Sequence, residues 1–129
     1  RPYQHALEPL FAYLMIAQKQ YEDGKYAGWY NVGPDECDCV TTGELVNLFC
    51  SSWGKNLTWD NQAETHALHE ANFLKLDCSK IKSVFGWKPR WHIDEAIKMT
   101  VDWTKMWLNK GDIPAEMDRE IRVYLGENQ

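Results

Sequence analysis

No stretch of this sequence is apolar for long enough to cross a bilayer. Its longest such run, Leu10 to Ala17, falls far short of the roughly 20 residues a spanning helix needs, so no membrane partner is expected. Positive charge is scarce as well: 14 Lys and Arg stand against 19 Asp and Glu, a formal net charge of −5. Phosphate backbones are held by clustered cations, which argues against nucleic acid as a partner but not against a small anion held by one or two well-placed cations. No basic start precedes an apolar run and a small-residue cleavage site, so no secretory leader is read and a cytoplasmic protein is expected. Repeats, low-complexity tracts and Pro/Ser-rich linkers are also missing, and 129 residues fit one domain able to bury a core without staples.

Cysteine is sparse, with four residues. Cys37-Asp-Cys39 is a conceivable start of a metal site, but the paired spacings of zinc sites are absent, and Cys50 and Cys78 stand singly inside helical patterns. Free, reduced thiols are expected, in keeping with a reducing compartment. His66, His69 and Glu70 form a second titratable group. Their two histidines are three residues apart in a polar segment, whereas a helical zinc pair needs a spacing of four, so no metal is expected there either.

Two pieces of redox machinery are missing. No G-x-x-G-x-x-G loop is present to cradle a dinucleotide phosphate. The letters Y-x-x-x-K occur only at Tyr21-Glu-Asp-Gly-Lys25, where Gly24 interrupts the helical turn such a pair requires. Hydride transfer therefore has no machinery in this chain, and no cofactor is expected to bind to it alone.

What is present is a series of amphipathic segments rich in tryptophan, seven in all; such large aromatics mark cores, interfaces and stacking sites. Apolar residues at spacings of three and four predict a helix from His5 to Glu22, with Glu8 suited to its positive end and Asp23-Gly24 to its stop. Tyr26 to Val32 reads as a strand buried on both faces and closed by Gly33-Pro34. Thr41 or Thr42 caps a helix reaching Trp53 and closed by Gly54. Leu57 to Asp60 is a short strand candidate, Asn61 to Leu68 a loop, and Phe73 to Leu76 a short extended piece. Asp77 or Ser79 opens a short helix that ends at Gly86, with Pro89 blocking extension. Ile93 to Asn109 is the clearest helix, acidic at its start and basic at its end, and Pro114 opens a tail helix. The fold class expected is α/β, mostly helices around a few strands.

Several segments are dense enough to suggest a family. Arg1-Pro-Tyr-Gln-His-Ala-Leu-Glu-Pro9, Asn31-Val-Gly33, His69-Glu-Ala-Asn-Phe-Leu-Lys-Leu-Asp-Cys-Ser-Lys80 and Phe85-Gly-Trp-Lys-Pro-Arg-Trp91 together resemble the C-terminal part of nucleotide-sugar dehydratases of the extended short-chain dehydrogenase class, a Rossmann-type fold. The R-P-Y-Q-H-x-L-E-P run is similar to that of the CDP-sugar branch. The resemblance implies a lyase of deoxysugar biosynthesis, serving surface polysaccharides such as lipopolysaccharide O-antigen, whose NAD-binding and catalytic part precedes Arg1. Arg1 then reads as a cut end, and residues 1–129 as one substrate-binding portion, inactive alone.

It further implies a CDP-sugar pocket with Arg1 on the diphosphate, where a guanidinium fork meets phosphate oxygens bidentately. His5 would sit at an anion-attracting helix start, Asn31 near the carboxyl end of a strand, and His69, Glu70 and Asn72 near ribose or phosphate. An arginine expected near Asn72 or Phe73 in the related dTDP-sugar enzymes is missing here. The Asp77-Cys-Ser79-Lys80 and Gly86-Trp87 runs are read as core. Two other outcomes stay open: another nucleotide-sugar dehydratase or epimerase, or a stand-alone interaction domain. A bare sheet edge would also allow pairing with a second copy into a homo-oligomer.

Overall fold

Three- and four-residue apolar spacing becomes helix among the described residues. A computed structural model describes residues 1–62 and 74–127. Among these, α1 spans Leu7–Glu22, α2 Thr42–Trp53, α3 Ser79–Phe85, α4 Ile93–Leu108 and α5 Ile113–Leu125, with single 3₁₀ turns at Gly24–Tyr26 and Glu36–Asp38. The helix ends follow from local chemistry. Thr41 caps α2 in a full capping box, its hydroxyl accepting the Glu44 N–H while the Glu44 carboxylate accepts the Thr41 N–H, which satisfies two otherwise orphaned groups. Gly86 and Gly126 end α3 and α5 in the left-handed region, at φ of +64° and +80°, where a Cβ is disfavoured. Pro114 sits in the first turn of α5.

The Tyr21–Lys25 spacing is broken as expected. α1 stops at Glu22, and Lys25 pairs with Asp23 at 2.8 Å.

The core forms where α1 meets α3 and the turn after it. Ala12, Cys78, Ile81 and Trp87 are buried there, with Phe11, Met15, Ile16, Tyr30, Val32 and Phe85 packed around them. Trp87 does bury its indole, at 4% exposure. α4 packs on both α2 and α5, burying Ala96 and Val101.

A carboxylate ties these layers together. Glu8, 1% exposed, accepts the backbone N–H groups of Arg90 and Trp91, both at 2.9 Å, on Oε1. Its Oε2 accepts the Tyr124 hydroxyl at 2.8 Å. One side chain thus joins the start of α1, the turn before α4 and the end of α5. Burial, with the Glu8 hydrogen bond adding to it, raises the Tyr124 phenol well above its ordinary value. The Arg90 guanidinium closes the knot by donating to the Tyr124 carbonyl at 2.8 Å and lying over the Phe11 ring.

The expected strands are not found. Tyr26 closes a 3₁₀ turn, residues 27–35 carry neither helix nor strand, and the same holds for residues 57–60 and 74–76. Residue 73 lies outside the described residues. No sheet therefore forms among the described residues, and the α/β expectation is unmet within them. The physical reason is ladder geometry: an extended segment becomes a strand only when neighbours accept and donate its backbone hydrogen bonds. β-propensity by itself cannot supply those neighbours. Tyr30 instead packs edge-on against Phe85 at 5.0 Å and donates its hydroxyl to the Tyr26 carbonyl.

Candidate functional site

Residues 1–4 lie along the connecting segment between Asn31 and Thr42. The Arg1 amino nitrogen bonds the Val40 carbonyl at 2.6 Å, and Gln4 Nε2 donates to the Val32 carbonyl at 3.2 Å. The Tyr3 hydroxyl meets Thr42 Oγ1 at 3.1 Å. The segment that carries Arg1 is thus held at its start, middle and end before α1 begins. Thr41 serves as a cap and Thr42 as a partner of Tyr3.

The other side of the connecting segment is pinned to residues 75–82. Asn31 Nδ2 donates to the Asp77 carbonyl at 3.0 Å. Lys82 pairs with Asp35 at 2.5 Å, and Lys75 pairs with Glu36. Gly33 is needed because a Cβ there would come within 3.0 Å of Leu76 Cδ1 and 3.5 Å of Cys78 Sγ. The close approach expected at this glycine is therefore to the protein's own chain. Asn31 likewise spends its amide on Asp77, which holds the 74–78 segment in place. His69, Glu70 and Asn72, together with His66, lie outside the described residues.

His5 does not join Arg1. The start of α1 turns it into a cleft of about 310 Å³ between α1, α4 and α5, lined mainly by Leu7, Leu10, Trp103, Met117, Glu120 and Ile121. There Nδ1 accepts the Leu7 N–H at 3.3 Å, and the ring stands edge-on to Trp91 at 4.9 Å. Nε2 is 3.9 Å from Glu120 Oε2, too far for a hydrogen bond. Burial lowers the His5 pKa despite the nearby Glu8 charge. Burial, with Glu116 adding like-charge repulsion, pushes Glu120 up to about 7. Glu120 is 5% exposed, and its Oε1 has no hydrogen-bond partner.

Sequence reading missed Tyr3 and Gln4 as the anchors of the Arg1 segment. It also missed Glu120, which lies 115 positions from His5 in a helix that looks merely amphipathic.

No family model matches the chain. A characterised relative does: the chain is 40% identical, over 126 residues and 97% of its length, to CDP-glucose 4,6-dehydratase of Salmonella typhimurium. It corresponds to the C-terminal part of that enzyme and spans 35% of its length. The resemblance carried by the dense segments thus extends over nearly the whole chain. No described helix is long and apolar enough to cross a membrane.

Proposed function

We propose that this chain is the substrate-side portion of a CDP-glucose 4,6-dehydratase, which converts CDP-glucose to CDP-4-keto-6-deoxyglucose in the cytoplasm. The observation that carries the reading is the 40% identity across 97% of the chain; the anchored Arg1 segment supports it. Arg1 contacts the diphosphate, with Tyr3, Gln4, Val40 and Thr42 fixing where its backbone lies. Asn31 acts indirectly, holding the segment that leads back to His69, Glu70 and Asn72. His5 is withdrawn from the pocket and belongs to the support of α1.

The catalytic groups and the NAD site belong to a preceding part of the intact protein. When bound there, NAD supplies the reversible hydride acceptor for oxidation at the sugar C4, while this chain binds and orients the nucleotide sugar. Exposed apolar surface favours such a partner over a stand-alone interaction domain. Trp29 is 91% exposed, Leu14 73% and Tyr21 95%, large apolar side chains that a preceding part of the protein would cover.

Calorimetric titration of the intact protein with CDP-glucose tests this reading. Arg1→Ala is expected to weaken binding at least tenfold, as loss of a charged phosphate contact does. CDP is expected to compete better than UDP, GDP or dTDP. An unchanged affinity in Arg1→Ala, or indifference to the base, would overturn it. Purified residues 1–129 are expected to show no dehydratase turnover.

A further inference from the structure

The fold brings His92 to two adjacent metal-binding side chains, Cys37 and Asp38, the latter 54 positions away in the sequence. Asp38, buried at 5% exposure, accepts on Oδ1 the N–H of Ile93, the first residue of α4, at 3.0 Å. Its Oδ2 meets His92 Nδ1 at 2.9 Å and Cys37 Sγ at 3.6 Å. The sulfur, nitrogen and oxygen all lie within 4.8 Å of one another. A tetrahedral Zn²⁺, with bonds of about 2.0 Å to nitrogen and oxygen and about 2.3 Å to sulfur, separates its ligand atoms by roughly 3.3–3.8 Å. The sulfur–oxygen distance already falls in that range. Opening the nitrogen–oxygen pair by a few tenths of an ångström and drawing sulfur towards nitrogen completes one face of a tetrahedron. Cys37 and His92 are both exposed, which leaves the site open to solvent on their side.

We propose that Cys37, Asp38 and His92 form a binding site for one Zn²⁺-type cation, with the fourth position taken by water. The donor set selects the class of ion. Thiolate and imidazole favour zinc and cobalt over magnesium and calcium, which take oxygen ligands. The carboxylate already has the outer hydrogen bond, from the Ile93 N–H, that orients a metal-ligating acid. Cys37 loses its thiol proton on binding, as a ligating cysteine must. Cys39 is not part of the set, because its sulfur lies 3.7 Å from the Asp35 carbonyl. A bound ion clamps the 36–38 turn to the start of α4, two residues before Val40, the acceptor of the Arg1 amino nitrogen. The site does not depend on the nucleotide-sugar reading.

Titration of the intact, metal-stripped protein with Co²⁺ alone tests it. The expected result is a thiolate-to-cobalt charge-transfer absorption that Zn²⁺ abolishes by displacement. Cys37→Ser is expected to remove one equivalent of that absorption, His92→Gln to weaken cobalt binding at least tenfold, and Cys50→Ser to change nothing. The two ligand variants lie on the surface, and an unchanged circular dichroism spectrum verifies their fold. Absence of the absorption, its persistence in Cys37→Ser, or indifference to His92→Gln would each overturn the site.

Discussion

Two regions of the molecule solve the same problem by different means. Around Glu8, three helices bring their own backbone hydrogen bonds with them, and one buried carboxylate settles the N–H groups left over at the Arg90–Trp91 turn. Between residues 27 and 41, helical structure is limited to one 3₁₀ turn, and the chain is held by contacts such as Gln4 to Val32, Asn31 to Asp77 and Lys82 to Asp35. The first region is closed on itself. The second depends on what lies against it, and Trp29 within it is 91% exposed. Self-sufficient helices build the frame, and the less regular segment is what residues 1–4, with Arg1 among them, lie against.

The largest expected effect breaks the closed region. Glu8→Ala leaves the Arg90 and Trp91 N–H groups and the Tyr124 hydroxyl without their acceptor inside the protein. Each buried orphan costs about 1–3 kcal/mol, so a loss of roughly 3–5 kcal/mol is expected. Urea unfolding followed by tryptophan fluorescence measures it, and a change under about 1 kcal/mol would show that the knot does not hold the helices together.

Next comes the acid at the cleft. Glu120 has a folded pKa of about 7 against an ordinary 4.5. The folded state therefore keeps a proton that the unfolded chain has already released. Its contribution to stability is greatest below pH 4.5, declines as pH rises to 7 and is level above that. The span is on the order of 3 kcal/mol. Glu120→Gln should flatten this slope, matching the parent near pH 4 and exceeding it at pH 8. Parallel stability curves for the two proteins between pH 4 and 8 would contradict the buried acid.

Smaller effects sharpen the contrast from the other side. If Arg1 holds the diphosphate as proposed, Arg1→Ala should cost at least tenfold in CDP-glucose affinity, about 1.4 kcal/mol, measured by calorimetric titration of the intact protein. Thr41→Ala removes the capping hydroxyl of α2 and should cost about 1 kcal/mol. Differential hydrogen exchange would place that loss in the first turn of α2, and uniform loosening of the whole molecule would argue against a local cap. Lys82→Ala is expected to change stability by less than about 0.5 kcal/mol, since its pairing with Asp35 is largely exposed.

The helices were legible because their signals are local. His5 to Glu22 became Leu7–Glu22, and Ile93 to Asn109 became Ile93–Leu108. The stops at Gly54 and Gly86 and the cap at Thr41 fell where turn and capping chemistry placed them. The strand expected at Tyr26 to Val32 does not form among the described residues, because a buried aromatic run has the same composition whether or not a neighbouring strand is present to pair with it. Glu8 was read as a partner of the helix dipole, yet its hydrogen bonds reach residues more than 80 positions away. Of the site residues read from the sequence, Arg1 lies against the connecting segment that begins at Asn31, while His5 turns into the cleft beside Glu120, a placement that no local pattern encodes.

The sequence by itself determined where helices begin and end, because capping, glycine conformation and three-to-four spacing act within a few residues. It also determined the likeness to the dehydratase, because dense local motifs survive as letters. Only the tertiary structure decided that Glu8 locks three elements, that His5 faces Glu120, and that Cys37 and Asp38 meet His92. Those outcomes depend on which helix faces pack together, and side chains distant in sequence are brought within ångströms only once the backbone between them has been placed.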